Sequence, residues 1–244
     1  MALLASCGSH YEMGEVTRTR ILIDSRYDSN PDPEATAFMA PYKHVVDSIM
    51  GPVVGEVACN MAAKSPESNL SNLLPDIFMW VASRYGEKPD MALYNMGGIR
   101  APLTKGKVTY GDVLAVAPFE NKICFFDLSG KDLMLLFKQI AKNRGEGVSH
   151  GVELVINQKG ELLSARLNGE PIDENRTYRL TTIDYLAEGN DRLTALKNKT
   201  NVNNPGTEQD NSRFVIMEYF KEMSRQGKVV DSQVEGRIKI VEQQ

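Results

Sequence analysis

Cysteine and histidine, the side chains that most often ligate transition metals, are scarce in this 244-residue chain, and their spacing narrows the chemistry further. The three cysteines, Cys7, Cys59 and Cys124, stand too far apart for a CxxC zinc knuckle. The three histidines, His10, His44 and His150, form neither HExxH nor His-x-His. A dinuclear hydrolase usually draws several ligands from histidine, so no metal site and no cofactor are expected. Gly147-Val148-Ser149-His150-Gly151 spells the G-x-S-x-G of a nucleophile elbow. That elbow needs a strand before its serine and a helix after it; here the order is reversed, and no histidine follows His150. Gly106-Lys107 is followed by valine, so no phosphate-binding P-loop is present. Asn95-Met96-Gly97-Gly98-Ile99-Arg100 is more telling. Glycines let backbone N–H groups approach a ligand, and arginine offers a planar fork for phosphate or carboxylate. The bland reading of that stretch is a tight turn with a surface arginine.

The elements around these residues interleave helix and strand. The 3–4 spacing of Leu70, Leu73, Leu74, Ile77, Phe78 and Val81 predicts a helix to about Tyr85. Ser129 should cap a second, with Leu133, Leu136, Phe137 and Ile140 inward. Others are expected at about 34–49, with Phe38, Val45, Val46 and Ile49 inward, at 113–116, and at 212–225. Strands are expected at 18–23, 52–60, 91–94, 122–128, 152–157, 163–167, 178–183 and 237–241. Clustered strand–turn–strand units indicate an α/β fold, α+β-like, with a mixed, largely antiparallel sheet flanked by helices. Residues 1–17 read as a truncated signal and linker, and 18–244 as one domain.

Composition excludes several classes. No apolar run reaches the ~18–20 residues of a membrane-spanning helix, and mean hydropathy is −0.32. A net charge of −4 gives no basic excess for nucleic acid. Leu4-Ala5-Ser6-Cys7 matches a lipobox, making Cys7 a candidate lipidation site. Only six residues precede Cys7, and none is basic, so the signal is incomplete as it stands. Cys59 and Cys124 lie in apolar segments and are expected as buried thiols.

Four motifs occur in order: Glu67-Ser-Asn-Leu-Ser-Asn72; Asn95-Met-Gly-Gly-Ile-Arg100; Gly111-Asp-Val with Pro118-Phe119-Glu-Asn121; and Asp184-Tyr185-Leu-Ala-Glu-Gly189-Asn-Asp191. Together they resemble the C-terminal, substrate-recognising domain of the 5′-nucleotidase family, over roughly residues 45–240. The resemblance implies that Phe119 and Tyr185 sandwich a nucleobase and that Asp191 binds the ribose hydroxyls. It implies that Asn95 and Arg100 contact phosphate or nucleoside beside Gly98, and that Asn121 contacts the base. Lys64 stands where the family often has arginine, keeping the charge without the fork. Tyr185 replaces a usual phenylalanine and adds a hydroxyl. The family's metallophosphoesterase motifs are missing from the roughly 45 residues before the resemblance begins.

The resulting expectation is a nucleotide- or nucleoside-recognising domain of a split 5′-nucleotidase, served by a separate metallophosphoesterase and extracytoplasmic, with a lipid anchor as its one membrane attachment. A stand-alone nucleoside-binding protein and an independent carboxylate-based hydrolase are the competing expectations.

Overall fold

The structure, a computed structural model, describes residue 12 and residues 14–242; Cys7, His10 and the lipobox lie outside them. The chain divides between Val45 and Val46 into two compact units. In the first unit, residues 18–23 run as irregular chain rather than the expected strand. Six residues of β-forming composition make no strand without a neighbour to pair with. Asp32 accepts the Glu34 and Ala35 amides at 2.8 and 3.2 Å and so starts helix α1, Pro33–Met50. Phe38, Val45, Val46 and Ile49 are not inward; Phe38 is 68% exposed and the others are more than half exposed. Their spacing marks an apolar stripe, but spacing does not say what covers it.

The second unit continues with β1 (Val53–Val57), α2 (Asn69–Val81), β2 (Met91–Tyr94), β3 (Gly106–Thr109), α3 (Tyr110–Val116) and β4 (Ile123–Ser129). Then come α4 (Gly130–Lys142), β5 (Gly147–Val148), β6 (Val152–Asn157), β7 (Leu162–Leu167), β8 (Glu170–Pro171) and β9 (Thr177–Ile183). It ends with α5 (Asp184–Ala187), β10 (Thr200–Asn203), α6 (Ser212–Arg225) and β11 (Ile238–Val241). The expected mixed sheets flanked by helices are present. A five-stranded sheet runs β10-β4-β9-β2-β5, a four-stranded one β11-β6-β7-β8, and β1 pairs with β3. In the five-stranded sheet β2 and β9 are parallel and the other pairs antiparallel.

Local sequence explains the main helices. Ser68 and Ser71 form a capping box at the start of α2, satisfying two backbone donors reciprocally. The predicted stripe Leu70, Leu73, Leu74, Ile77, Phe78 and Val81 is buried. Ser129 caps α4, and Leu133, Leu136, Phe137 and Ile140 enter the core. The start of α4 packs tightly: a Cβ on Gly130 would lie 2.0 Å from the Asp173 carbonyl oxygen. Gly130→Ala should therefore cost about 1–3 kcal/mol through overpacking, read as a lower denaturation midpoint with an unchanged slope.

Two polar groups brace the unit. Ser149, the centre of G-x-S-x-G, is fully buried, and its Oγ accepts the Ala92 amide at 2.9 Å. It ties the chain beyond β5 to β2 and is no exposed nucleophile. The Arg237 side chain, 4% exposed, makes two bonds to Asp76 at 2.6 and 2.9 Å. It also donates to Glu235 at 2.9 Å and to the Val148 carbonyl at 2.7 Å, joining α2, β5 and the approach to β11. Cys124 is buried, as expected, and burial pushes its thiol up to about 12; Cys59 is only partly buried, and both are free thiols. Among the described residues no helix is long and apolar enough to cross a membrane.

Candidate functional site

The site forms where three strand ends meet. β4 and β9 are antiparallel, with Ile123 opposite Ile183, and the Asp184 amide donates to the Lys122 carbonyl at 2.8 Å. The segment entering β4 carries Phe119 and Asn121; the chain leaving β9 carries Tyr185. Antiparallel pairing thus brings residues distant in sequence to one edge of the sheet. The parallel neighbour β2 delivers its carboxyl end, Asn95, to the same edge. Crevices outside the carboxyl ends of parallel strands are common ligand sites. The Phe119 segment is tied down by the Ser212 amide on the Asn121 carbonyl, 2.8 Å, and by Arg213 Nη2 on the Pro118 carbonyl, 3.0 Å.

Asn95, Gly98, Arg100, Phe119, Asn121, Tyr185 and Asp191 line one cavity of about 320 Å³, joined by Gly97. Lys64 does not line it. It is exposed beside the start of α2, where its backbone amide donates to Ser68 Oγ at 3.1 Å. Phe119 and Tyr185 are 46% and 41% exposed, so neither ring belongs to the core. The Arg100 guanidinium carbon lies 5.9 Å from the Phe119 ring centroid, a cation–π contact, and Nη1 donates to the Gly97 carbonyl at 3.3 Å.

Asp191 is the most constrained residue of the cavity. Its φ of +52° is left-handed, a conformation that aspartate tolerates better than most side chains. Oδ2 accepts Asn95 Nδ2 at 2.5 Å, and Oδ1 accepts the Tyr185 hydroxyl at 2.9 Å. The carboxylate thus holds Tyr185 within its own 184–191 stretch and ties that stretch to Asn95 at the end of β2. The hydrogen bond to Asp191 holds the Tyr185 hydroxyl above the usual phenol range. Asn95 is 5% exposed, and its Oδ1 has no partner. Turning the amide over would set two acceptor oxygens 2.5 Å apart, so the donor must face Asp191. Gly98 makes room for this arrangement, because a Cβ there would meet Asn95 Oδ1 at 2.4 Å.

Two supporting residues escaped the sequence reading. Glu146, buried, accepts the Met96 amide at 2.6 Å and Asn143 Nδ2 at 3.0 Å. Asn143 Nδ2 also donates to the Asp191 carbonyl at 2.9 Å. Burial raises the Glu146 carboxyl above its ordinary range. The one available signal was a pair of polar residues in the glycine-rich stretch after α4, and it has no period to read.

Among the described residues no group of three or more His, Cys, Asp or Glu could hold a metal ion. His150 is exposed and pairs with Glu235 at 2.9 Å. The cavity combines two open aromatic faces, a fixed carboxylate, a guanidinium and glycine backbone. Those groups suit a ligand with a flat ring, hydroxyl donors and an anionic end.

Residues 53–198 match the family model described as 5′-nucleotidase, C-terminal domain. Protein UshA of Salmonella pullorum is 30% identical over 147 residues, covering 59% of this chain and 25% of the relative. An apyrase of Tabanus yao is 31% identical over 202 residues, covering 72% of this chain and 35% of the relative. The crystal structure of a 5′-nucleotidase precursor from Thermus thermophilus superposes with a TM-score of 0.74 at 28% identity. It covers 85% of this chain and 43% of that one. The chain thus spans less than half the length of each. On this match, sustained over more than half of its residues, the chain belongs to the 5′-nucleotidase C-terminal domain family.

Proposed function

We propose that this domain recognises a nucleoside or nucleotide and holds it for removal of the 5′-phosphate by a separate metallophosphoesterase subunit. The observation that carries this reading is the single cavity that gathers two exposed rings, a fixed carboxylate and an arginine. In it Phe119 and Tyr185 stack on the base, at ~1–3 kcal/mol per stacked base. Asn121 contacts the base edge, Asp191 accepts from the ribose hydroxyls, and Arg100 faces the phosphate. Among the described residues no group of three or more His, Cys, Asp or Glu could hold a metal ion, and this reading assigns the metal-dependent step to the partner. The lipobox-like Leu4–Cys7 supports an extracytoplasmic location and a lipid anchor at Cys7.

The test is titration calorimetry with AMP and adenosine. Arg100→Ala should weaken AMP by ~1.5–3 kcal/mol, the worth of a charged hydrogen bond, and leave adenosine nearly unchanged. Asp191→Asn should weaken both, and should matter less for a 2′,3′-dideoxy ligand. If both variants bind every ligand like the parent, the nucleotide reading is withdrawn. Release of phosphate from AMP only when a metallophosphoesterase is added would support the split arrangement; release by this chain alone would refute it.

A further inference from the structure

Tyr185 carries a hydroxyl that stacking does not need, and that hydroxyl is engaged. It donates to Asp191 Oδ1 at 2.9 Å while Asn95 donates to Oδ2 at 2.5 Å. A carboxylate offers about four lone-pair directions. With one taken on each oxygen, one remains on each. The Asn95 amide cannot turn, as argued above, and the Asp191 backbone is held by Asn143 at 2.9 Å. The carboxylate plane is therefore fixed before any ligand arrives.

We propose that the Tyr185 hydroxyl is a specificity-determining group, which positions Asp191 so that its two remaining acceptor directions match the paired donors of a vicinal diol. This rests on the nucleoside reading above and names its sugar: ribose rather than 2′-deoxyribose. A diol fills both directions at once without a loss of carboxylate freedom on binding. A single hydroxyl leaves one direction empty, and it can be met by either oxygen of a swivelling carboxylate. It therefore gains little from the fixed orientation. The same hydroxyl bond tethers the exposed Tyr185 ring to the acid, so base platform and sugar site are set relative to one another.

The experiment compares adenosine and 2′-deoxyadenosine binding to the full chain and to Tyr185→Phe by titration calorimetry. The parent should prefer adenosine by about tenfold, the worth of one hydrogen bond to a charged group. Tyr185→Phe keeps the stacking ring and should fold normally, because residue 185 is 41% exposed. It should lose roughly three- to tenfold in adenosine affinity and less than about twofold for 2′-deoxyadenosine, narrowing the preference. A parent that binds both but does not discriminate, or a variant that keeps the parent's ratio, overturns this assignment and leaves the nucleoside reading standing. A parent that binds neither overturns the nucleoside reading and this assignment with it.

Discussion

Phe119→Ala should lower adenosine affinity by about 1–3 kcal/mol, roughly 5- to 150-fold, with little change in thermal midpoint. The two halves of that expectation have separate causes. The ring is 46% exposed, so its removal opens no core cavity. Its loss removes the surface against which the Arg100 guanidinium rests at 5.9 Å and, on the proposed function, one of the two rings that hold the base. AMP should therefore suffer at least as much as adenosine, because Arg100 loses its placement as well. Phe119→Trp, which keeps an aromatic face, should retain most of the affinity. Calorimetry on the three proteins decides the matter. Equal affinity in parent and alanine variant would mean that no base rests on this ring.

Arg237→Met should produce the largest stability loss, about 2–4 kcal/mol. Removing one partner of a fully buried ion pair costs ~3–5 kcal/mol, because the other charge is left uncompensated. Here Asp76 and Glu235 keep 34% and 41% of their side-chain surface in water, which reduces the cost. The Val148 carbonyl also loses its donor. For a domain of this size the fall in thermal midpoint should be roughly 5–15 °C. Arg225→Ala is the comparison: Arg225 is 69% exposed and pairs with Glu222 within one helical turn. Such pairs contribute well under 1 kcal/mol, so its midpoint should hardly move. Equal shifts in the two variants would refute the bracing role of Arg237.

α2 and α4 were legible because in each the apolar spacing coincides with the face that enters the core. Leu70 to Val81 and Leu133 to Ile140 repeat every three or four residues and carry serine caps, so α2, α4 and their inward faces follow from sequence. β3, β5, β8 and β10 were not foreseen: at two to four residues they are too short to show a period, and they lack the apolar residues that marked the equally short β2 and β11. The stripe on α1 was legible but its exposure was not. The cavity was largely legible, because Asn95, Gly98 and Arg100 lie in one motif and each ring sits in another. Lys64 shows the limit of such spacing. It was placed by its distance from Glu67, and Glu67 is a buried hub: Oε1 accepts Asn72 Nδ2 at 2.7 Å and the Glu235 amide at 2.7 Å. That motif thus serves packing, and a position counted from it need not open on the cavity. Asn143 and Glu146 act through turns whose partners lie far off in sequence, and no local pattern records them.

The pairing of Ile123 with Ile183 has a consequence for how such a domain can change over generations. Those two side chains are wholly buried, while the rings that hang beyond them stand in water. The demands of folding therefore fall on the ladder, while the rings, on the proposed function, answer to the ligand. An exchange of tyrosine and phenylalanine at residue 185 leaves the ladder untouched, so, if the proposed function holds, ligand preference can drift or be bred in a new direction without drawing on the narrow stability margin of the fold.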